Sequence, residues 1–384
     1  MRLPIPAARA VTPAPISLRW AKAFRAVLLG LVYVAVAAFA LNSFQLKWGF
    51  RDGIDAFSLE RQMDGTAWRP VVYRVLVPRV AAAVAPHLPQ RLVDGLITHN
   101  IGSDDDPKRS SVLVRYGWRR HYFVAALVAY FVQFASLIVT LVASRALVRE
   151  TLGFGRAFCD FAPAVGMTLL PVTYHLGGYV YDFPELAFCA VGLLALVRGR
   201  LTTWYACFVL ACLNKEADVL LAAWFVIFWW RRVSFARLVA HGAVHVAIGA
   251  TILLGLRSIY AGNAGASAQF DLYTNLASYV RASTLFGFVD YFAPFIPFPR
   301  PFNLLSLFVI GSAVAIGWRE KPQELRWAFG VMMVLLLPLV VVTGHRDEVR
   351  NFSLAFVPFC LLACHTVHRV YTALGDPAPL PRSS

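Results

Sequence analysis

Apolar runs recur along the whole chain, and this repetition limits the possible folds more than any other feature of the sequence. About ten runs approach the roughly 20 residues that a helix needs to cross a bilayer core. Hydrophobic residues make up 59% of the 384-residue chain and charged residues only 15%, so the chain is far more apolar than a soluble globular protein. We therefore predict an all-α, polytopic membrane protein that forms a single transmembrane domain. The predicted spans are 24–44, 122–147, 157–174, 179–197, 201–213, 217–230, 236–259, 303–318, 326–343 and 352–371.

The basic residues predict the sidedness of these spans. The net charge of +15 would suit a nucleic-acid-binding protein if the chain were soluble, but the excess Arg lies in short connections between spans, as the positive-inside rule requires. We therefore expect no nucleic-acid partner, and we expect the tails 1–23 and 373–384 to lie in the cytoplasm. The high Arg and Ala content is typical of a GC-rich bacterial genome, so the expected location is a bacterial inner (plasma) membrane.

Two long connections fall on the predicted outer side, at 46–121 and 261–302. In the first, an apolar stretch at 68–88 is interrupted by Arg69, Arg74 and Arg79, which makes it too charged for an ordinary span. We predict an interfacial or re-entrant helix there, with its Arg side chains reaching toward anionic headgroups.

The stretch 201–230 allows two interpretations. As one long helix it would carry Lys215 and Glu216 at its centre, and a charge there costs roughly 2.5–3.5 kcal/mol on insertion scales. As two segments, it would turn at "LNKEAD" inside a protein-lined pit below the outer surface, where irregular polar backbone is tolerated. The charge bias of the following loop favours two segments.

Four charged segments then fall on one predicted side: "RDGID" (51–55), "YDFPE" (181–185), "NKEAD" (214–218) and "HRDEVRN" (345–351). Ionisable groups at recessed membrane positions indicate a functional site. Plainer roles remain open for each segment. Asp182 has the position of a helix N-cap, Arg346 and Arg350 could bind lipid phosphates, and Lys215 with Glu216 could form an internal ion pair.

These segments resemble motifs of the polytopic glycosyltransferases of the GT-C superfamily. The similarity rests on "GFRDGID" after the first span, "YRVLVPRV" in the first outer loop, "NKEAD" between short helices and "DEVRNF" before the last span. It implies transfer of a sugar from a polyprenyl-phosphate donor to an acceptor on the outer face. The implied partners are a lipid-linked sugar donor, a glycan or lipid acceptor, and membrane lipids.

The resemblance also implies roles for individual residues. The catalytic carboxylate, as base or metal ligand, would be Asp52 or Asp55. These two acids stand three residues apart and do not form a paired-acid motif, so the need for a divalent metal ion stays open. The residues implied in binding the donor phosphate or the sugar are Arg74, Asp182, Lys215, Glu216, Arg346, Glu348 and Arg350.

Three other functions fit the same composition. A transporter or lipid-linked sugar flippase would predict discontinuous helices with charges near mid-membrane. A polysaccharide polymerase or ligase would use the same arginines on a lipid-linked sugar. A membrane assembly factor without catalytic activity is the third alternative.

Overall fold

The computed structural model describes residues 18–47, 54–101, 122–168, 170, 178–266, 268, 270–293, 296–345 and 348–375. Within these ranges the chain is mostly helical, with one antiparallel two-stranded hairpin, β1 (Phe288–Ala293) and β2 (Ile296–Pro299). The α-helices are α1 (Leu18–Lys47), α2 (Leu59–Asp64), α3 (Leu76–Val84), α4 (Gln90–Ile101), α5 (Phe123–Leu152), α6 (Arg156–Thr168), α7 (Asp182–Val197), α8 (Leu201–Asn214), α9 (Ala222–Trp229), α10 (Phe235–Ile259), α11 (Leu272–Tyr279), α12 (Ala282–Leu285), α13 (Leu304–Ala315), α14 (Gln323–Thr343) and α15 (Ser353–Gly375).

Five helical segments of the described chain are long and apolar enough to cross a membrane. They coincide with five of the predicted spans, so the prediction of a multi-pass helical protein is confirmed at this level. The segments are Trp20–Gln45, Phe123–Leu152, Phe235–Ile259, Gln323–Thr343 and Val349–Leu374.

The other predicted spans contain helices of 8 to 16 residues, and ten full crossings are not confirmed. At 1.5 Å per residue, α7 with its 16 residues is about 24 Å long, less than the roughly 30 Å of a bilayer core. Two of these short helices have one terminus at a buried polar residue. Helix α7 begins at Asp182, and α8 ends at Asn214.

The stretch 201–230 is a helical hairpin and not one continuous helix. Lys215 has extended backbone angles, a 3-10 turn follows at Glu216–Leu221, and α9 runs back along α8. The ring of Phe225 in α9 lies 6.4 Å from the ring of Tyr205 in α8, although 20 residues separate them in the sequence. The two-segment interpretation is therefore correct, and the charged residues occupy the turn.

Helix α7 forms the centre of the bundle. Twelve of its sixteen residues are buried, against α5 on one side and against α8 and α15 on the other. Because its first turn is buried as well, the polar side chains of that turn lie inside the protein, where each needs a partner.

The two long predicted outer loops pack against each other. Asn263 donates hydrogen bonds to the carbonyl oxygens of Gly65 and Ala67, and Arg69 binds the carbonyl oxygen of Gly265. The predicted helix at 68–88 is shorter than expected, since α3 covers only Leu76–Val84. That its arginines reach toward lipid headgroups stays a prediction; in the structure Arg69, Arg74 and Arg79 each bind a protein group.

Candidate functional site

Charged side chains from four distant segments meet at the first turn of α7. We call this group the polar cluster. Among the described residues it contains three cations and five carboxyl groups: Arg74, Lys215 and Arg350, with Asp182, Glu185, Glu216, Asp218 and Glu348.

The backbone that enters α7 is held by buried amide side chains. Gln133 on α5 donates to the carbonyl oxygen of Val180, and Asn214 at the end of α8 donates to that of Tyr181. The Asp182 carboxylate accepts from the backbone N–H of Tyr179 at 2.7 Å. These bonds replace water at a buried helix start, which explains why a short helix can begin here.

Arg74 and Glu216 form the exposed edge of the polar cluster. Arg74 binds the Glu216 carboxylate through two hydrogen bonds of 2.9 and 2.6 Å, and it also donates to the Tyr181 hydroxyl. Burial opposes ionisation of Glu216, but the Arg74 charge and hydrogen bonds outweigh it and lower the pKa of this carboxyl. Glu216 is therefore ionised at neutral pH, with a side chain that is 25% exposed.

Lys215 lies deeper, on the floor of the polar cluster. Its Nζ atom is 2.8 Å from Glu185 Oε2 and 3.9 Å from Asp182 Oδ1. Burial disfavours the charged amine, but the carboxylates of Glu185 and Asp182 outweigh this effect and raise the pKa of Lys215. The ammonium group is therefore a fixed positive charge in a site with little water.

Arg350 links the segment before α15 to the start of α7. Its guanidinium is 3.1 Å from Asp182 and 3.2 Å from Glu348, and its side chain is 7% exposed. It also lies over the ring of Tyr179, which stacks on the ring of Tyr181 at 5.1 Å. Arg74 lies over the Tyr181 ring, so two arginines and two tyrosines form one stacked unit.

The polar cluster is recessed from the end of the bundle. Gln133, which contacts its floor, is ten residues past the start of α5, or about 15 Å along the helix. Asp182 on the floor is 1% exposed, whereas Glu216 at the edge is 25% exposed. The arrangement is therefore a recessed cluster with one pair of opposite charges at its more exposed edge.

Six of the nine predicted site residues meet in the polar cluster. They are Arg74, Asp182, Lys215, Glu216, Glu348 and Arg350. The predicted N-cap role of Asp182 is wrong, because Tyr181 is the N-cap of α7 and Asp182 is the first residue of the helix; its carboxylate pairs with Lys215 and Arg350. Asp52 and Arg346 lie outside the described residues.

Asp55 does not enter the polar cluster. It sits in a 3-10 turn at Asp55–Phe57, its side chain is 67% exposed, and it pairs with Arg61 on α2. The short Asp side chain and this nearby cation hold the carboxylate at the surface. The turn still borders the site, because the ring of Phe57 packs edge-on against Tyr179 at 6.5 Å.

Three residues in or next to the polar cluster were not predicted from the sequence as individual site residues: Glu185, Asp218 and Gln133. Glu185 follows Asp182 by three positions and so lies on the same face of α7, which the sequence spacing could have indicated. Asp218 closes the "NKEAD" segment, and Gln133 is the one amide in the apolar run of α5. All three are buried.

Metal binding finds no support in these side chains. The described residues contain no group of three or more His, Cys, Asp or Glu side chains that could hold a metal ion. The carboxylates of the polar cluster are instead arranged around cationic side chains, which already neutralise much of their charge.

Comparison with known proteins adds no family assignment. No protein-family model matches the chain, and a search of curated proteins gave no similar sequence.

Proposed function

We propose that this protein is a membrane glycosyltransferase that moves a sugar from a polyprenyl-phosphate-linked donor to a glycan or lipid acceptor. The convergence of four sequence-distant charged segments in the recessed polar cluster is the observation that carries the proposal. A lipid-linked phosphate would reach such a cluster from the membrane, where its charge needs fixed cations and its tail needs an apolar surround. The membrane we propose is the bacterial inner membrane, with both termini in the cytoplasm and the reaction on the outer face.

Arg74 is our candidate for the first contact with the donor phosphate. Its pair with Glu216 lies at the exposed edge, so exchanging the carboxylate for a phosphate there desolvates less charge than at Arg350 or Lys215. The two deeper cations would keep their carboxylate partners and supply positive potential behind the phosphate. Glu348 holds Arg350 in place for this role.

The base that takes the proton from the acceptor hydroxyl remains a prediction from the sequence. The turn that carries Asp55 borders the polar cluster, and Asp55 is exposed enough to meet an acceptor from water; Asp52 is its alternative. Either carboxylate would remove the hydroxyl proton while the acceptor oxygen bonds to the sugar carbon and the polyprenyl phosphate leaves from that carbon.

The test is a transfer assay with the purified full-length chain in lipid nanodiscs. The probes are radiolabelled polyprenyl-phosphate hexose and pentose, with bacterial lipid and glycan extracts as acceptors. We expect transfer by the wild type, a loss of at least about 100-fold in Arg74→Gln, and a similar loss in Asp52→Asn or Asp55→Asn. Asp94→Asn changes an exposed carboxylate on α4 and serves as the matched control, with unchanged transfer.

Two results would overturn the proposal. One is the absence of transfer with every donor and acceptor while polyprenyl phosphate also fails to raise the melting temperature of the wild type. The other is full activity in the Asp52, Asp55 and Arg74 variants together. Growth of a long polymer in place of single-sugar addition would assign the same site to a polymerase or ligase.

One structural feature favours a second candidate, a transporter or lipid-linked sugar flippase. The hairpin of α8 and α9 is interrupted at a recessed, charged turn, as in transporters whose broken helices line a substrate site. Proteoliposomes that move a labelled lipid-linked sugar between leaflets, with no transfer to any acceptor, would select this alternative.

A further inference from the structure

Two carboxyl groups on the floor of the polar cluster lack the hydrogen bonds that buried charges need. Asp218 is fully buried, and neither of its carboxyl oxygens has a hydrogen-bond donor among the described residues. Glu185 is also fully buried; its Oε2 atom accepts from Lys215, whereas its Oε1 atom has no such donor. A buried carboxylate without donors is strongly unfavourable, because nothing replaces the water that solvated it.

The two carboxyl groups are close enough for one of them, when protonated, to donate a hydrogen bond to the other. The Asp218 carboxyl lies within hydrogen-bonding distance of the Glu185 carboxyl. Two ionised carboxylates cannot bond to each other, because both only accept hydrogen bonds. One proton between them turns the repulsive contact into an O–H···O⁻ hydrogen bond, which is short and strong in a dry site.

The surrounding charges indicate where the proton resides. Lys215 binds Glu185 directly at 2.8 Å, which favours the ionised form of Glu185. Asp218 faces Glu185, Lys215 and Glu216, and the thiols of Cys189 on α7 and Cys212 on α8 lie nearby. With more carboxyl groups than cations in the polar cluster, neutralising Asp218 also reduces an excess of buried negative charge.

We propose that Glu185 and Asp218 form a proton-binding site. Asp218 holds one proton at neutral pH and donates it to the Glu185 carboxylate, and this bond fastens the 3-10 turn at Glu216–Leu221 to α7. Loss of the proton would leave two negative charges in contact, so the turn would separate from α7. The site would thereby link protonation to the position of the hairpin, whether the protein is a transferase or a transporter.

Infrared spectroscopy of the full-length protein in nanodiscs tests the proposal directly. A protonated buried carboxyl group gives a C=O stretching band that an ionised carboxylate lacks. We expect this band in the wild type at neutral pH and its loss in both Asp218→Asn and Glu185→Gln. Asp55→Asn, which alters an exposed and ion-paired carboxylate, is the control and should retain the band.

A second measurement compares melting temperatures in sodium chloride and in choline chloride. We expect no difference, because the site is filled by a proton. The proposal is overturned if the wild type shows no protonated-carboxyl band, if the band survives in Asp218→Asn, or if sodium stabilises the wild type and not Asp218→Asn. Should Glu185→Gln fail to fold, the infrared spectra of the wild type and of Asp218→Asn still decide the question.

Discussion

Individual charges in this protein differ mainly in how much water surrounds them. Lys215 and its partner Glu185 are 7% and 0% exposed, whereas Arg61 and its partner Asp55 are 41% and 67% exposed. Removing one partner of a buried pair leaves an uncompensated charge without solvent, whereas water screens the partner of an exposed pair. Loss of one partner therefore costs much more stability at the buried pair than at the exposed pair.

Lys215→Met should consequently be strongly destabilising. Methionine keeps the length of the side chain but leaves the buried carboxylate of Glu185 without its cation, and we expect a loss of about 3–5 kcal/mol in the free energy of unfolding. Denaturant titration in detergent, followed by circular dichroism, measures the change. Arg61→Met is the matched control, with a much smaller effect. Equal losses in the two variants would show that Lys215 is not a buried structural charge.

At the scale of secondary structure elements, the last carbonyl groups of several helices are bound by side chains from other segments. The end of α14 is closed by Asn275 on α11, whose amide donates to the carbonyl oxygens of Val341 and Gly344. The end of α13 is closed by Lys321, whose Nζ atom donates to the carbonyl oxygens of Ala313 and Val314 at 2.9 and 2.6 Å. Such partners replace the water that would solvate the last carbonyl groups of a helix.

The Lys321 cap predicts a dependence of stability on pH. This side chain is 2% exposed, and burial lowers its pKa from 10.5 to about 8. Between these two values the unfolded chain binds more protons than the folded one, so the free energy of unfolding rises with pH across this window.

We expect this rise to approach about 1.4 kcal/mol per pH unit and to be absent in Lys321→Met. The measurement compares unfolding of the two proteins at about pH 8 and about pH 9.5. Subtracting the variant from the wild type removes the contributions of tyrosine and cysteine. A stability difference that does not change between the two pH values would contradict the assigned pKa.

At the scale of the whole molecule, charged segments far apart in sequence share one end of the bundle. The docking of 263–265 on 65–69 joins the two long predicted outer loops, and the first of these loops contributes Arg74 to the polar cluster. Arg198 and Arg200 follow the other end of α7, and Arg232 returns there to bind the Leu196 carbonyl oxygen. Acidic and basic side chains therefore gather at the start of α7, whereas arginines lie at its other end.

This arrangement predicts a labelling pattern in intact cells. In a background without cysteines, Asp55→Cys and Ala266→Cys should react with a membrane-impermeant maleimide. Arg200→Cys should react only after the membrane is permeabilised. All three positions are exposed, so differences in burial do not explain a failure to react. Reaction of Arg200→Cys together with the other two, or of Ala266→Cys only after permeabilisation, would overturn the predicted topology.

Much of the helical architecture could be predicted from the sequence, because it follows from local properties. The length of an apolar run determines whether a helix can cross a bilayer, and five long runs are indeed helices of sufficient length. The high cost of a charge at a helix centre likewise predicted the turn at Lys215 and Glu216. The sequence did not show that α7 is too short to span the bilayer core, since its start depends on amide partners such as Gln133 on another helix.

The composition of the candidate site was predictable only in part. The sequence by itself determined that this is a multi-pass helical chain with charged segments at a few helix ends. Only the tertiary structure decided which charges pair: it placed Asp55 at the surface with Arg61, and it brought Glu185 and Asp218 into contact. The reason is that electrostatic energy depends on distance and on the exclusion of water, and both are set by packing between helices that are remote in sequence.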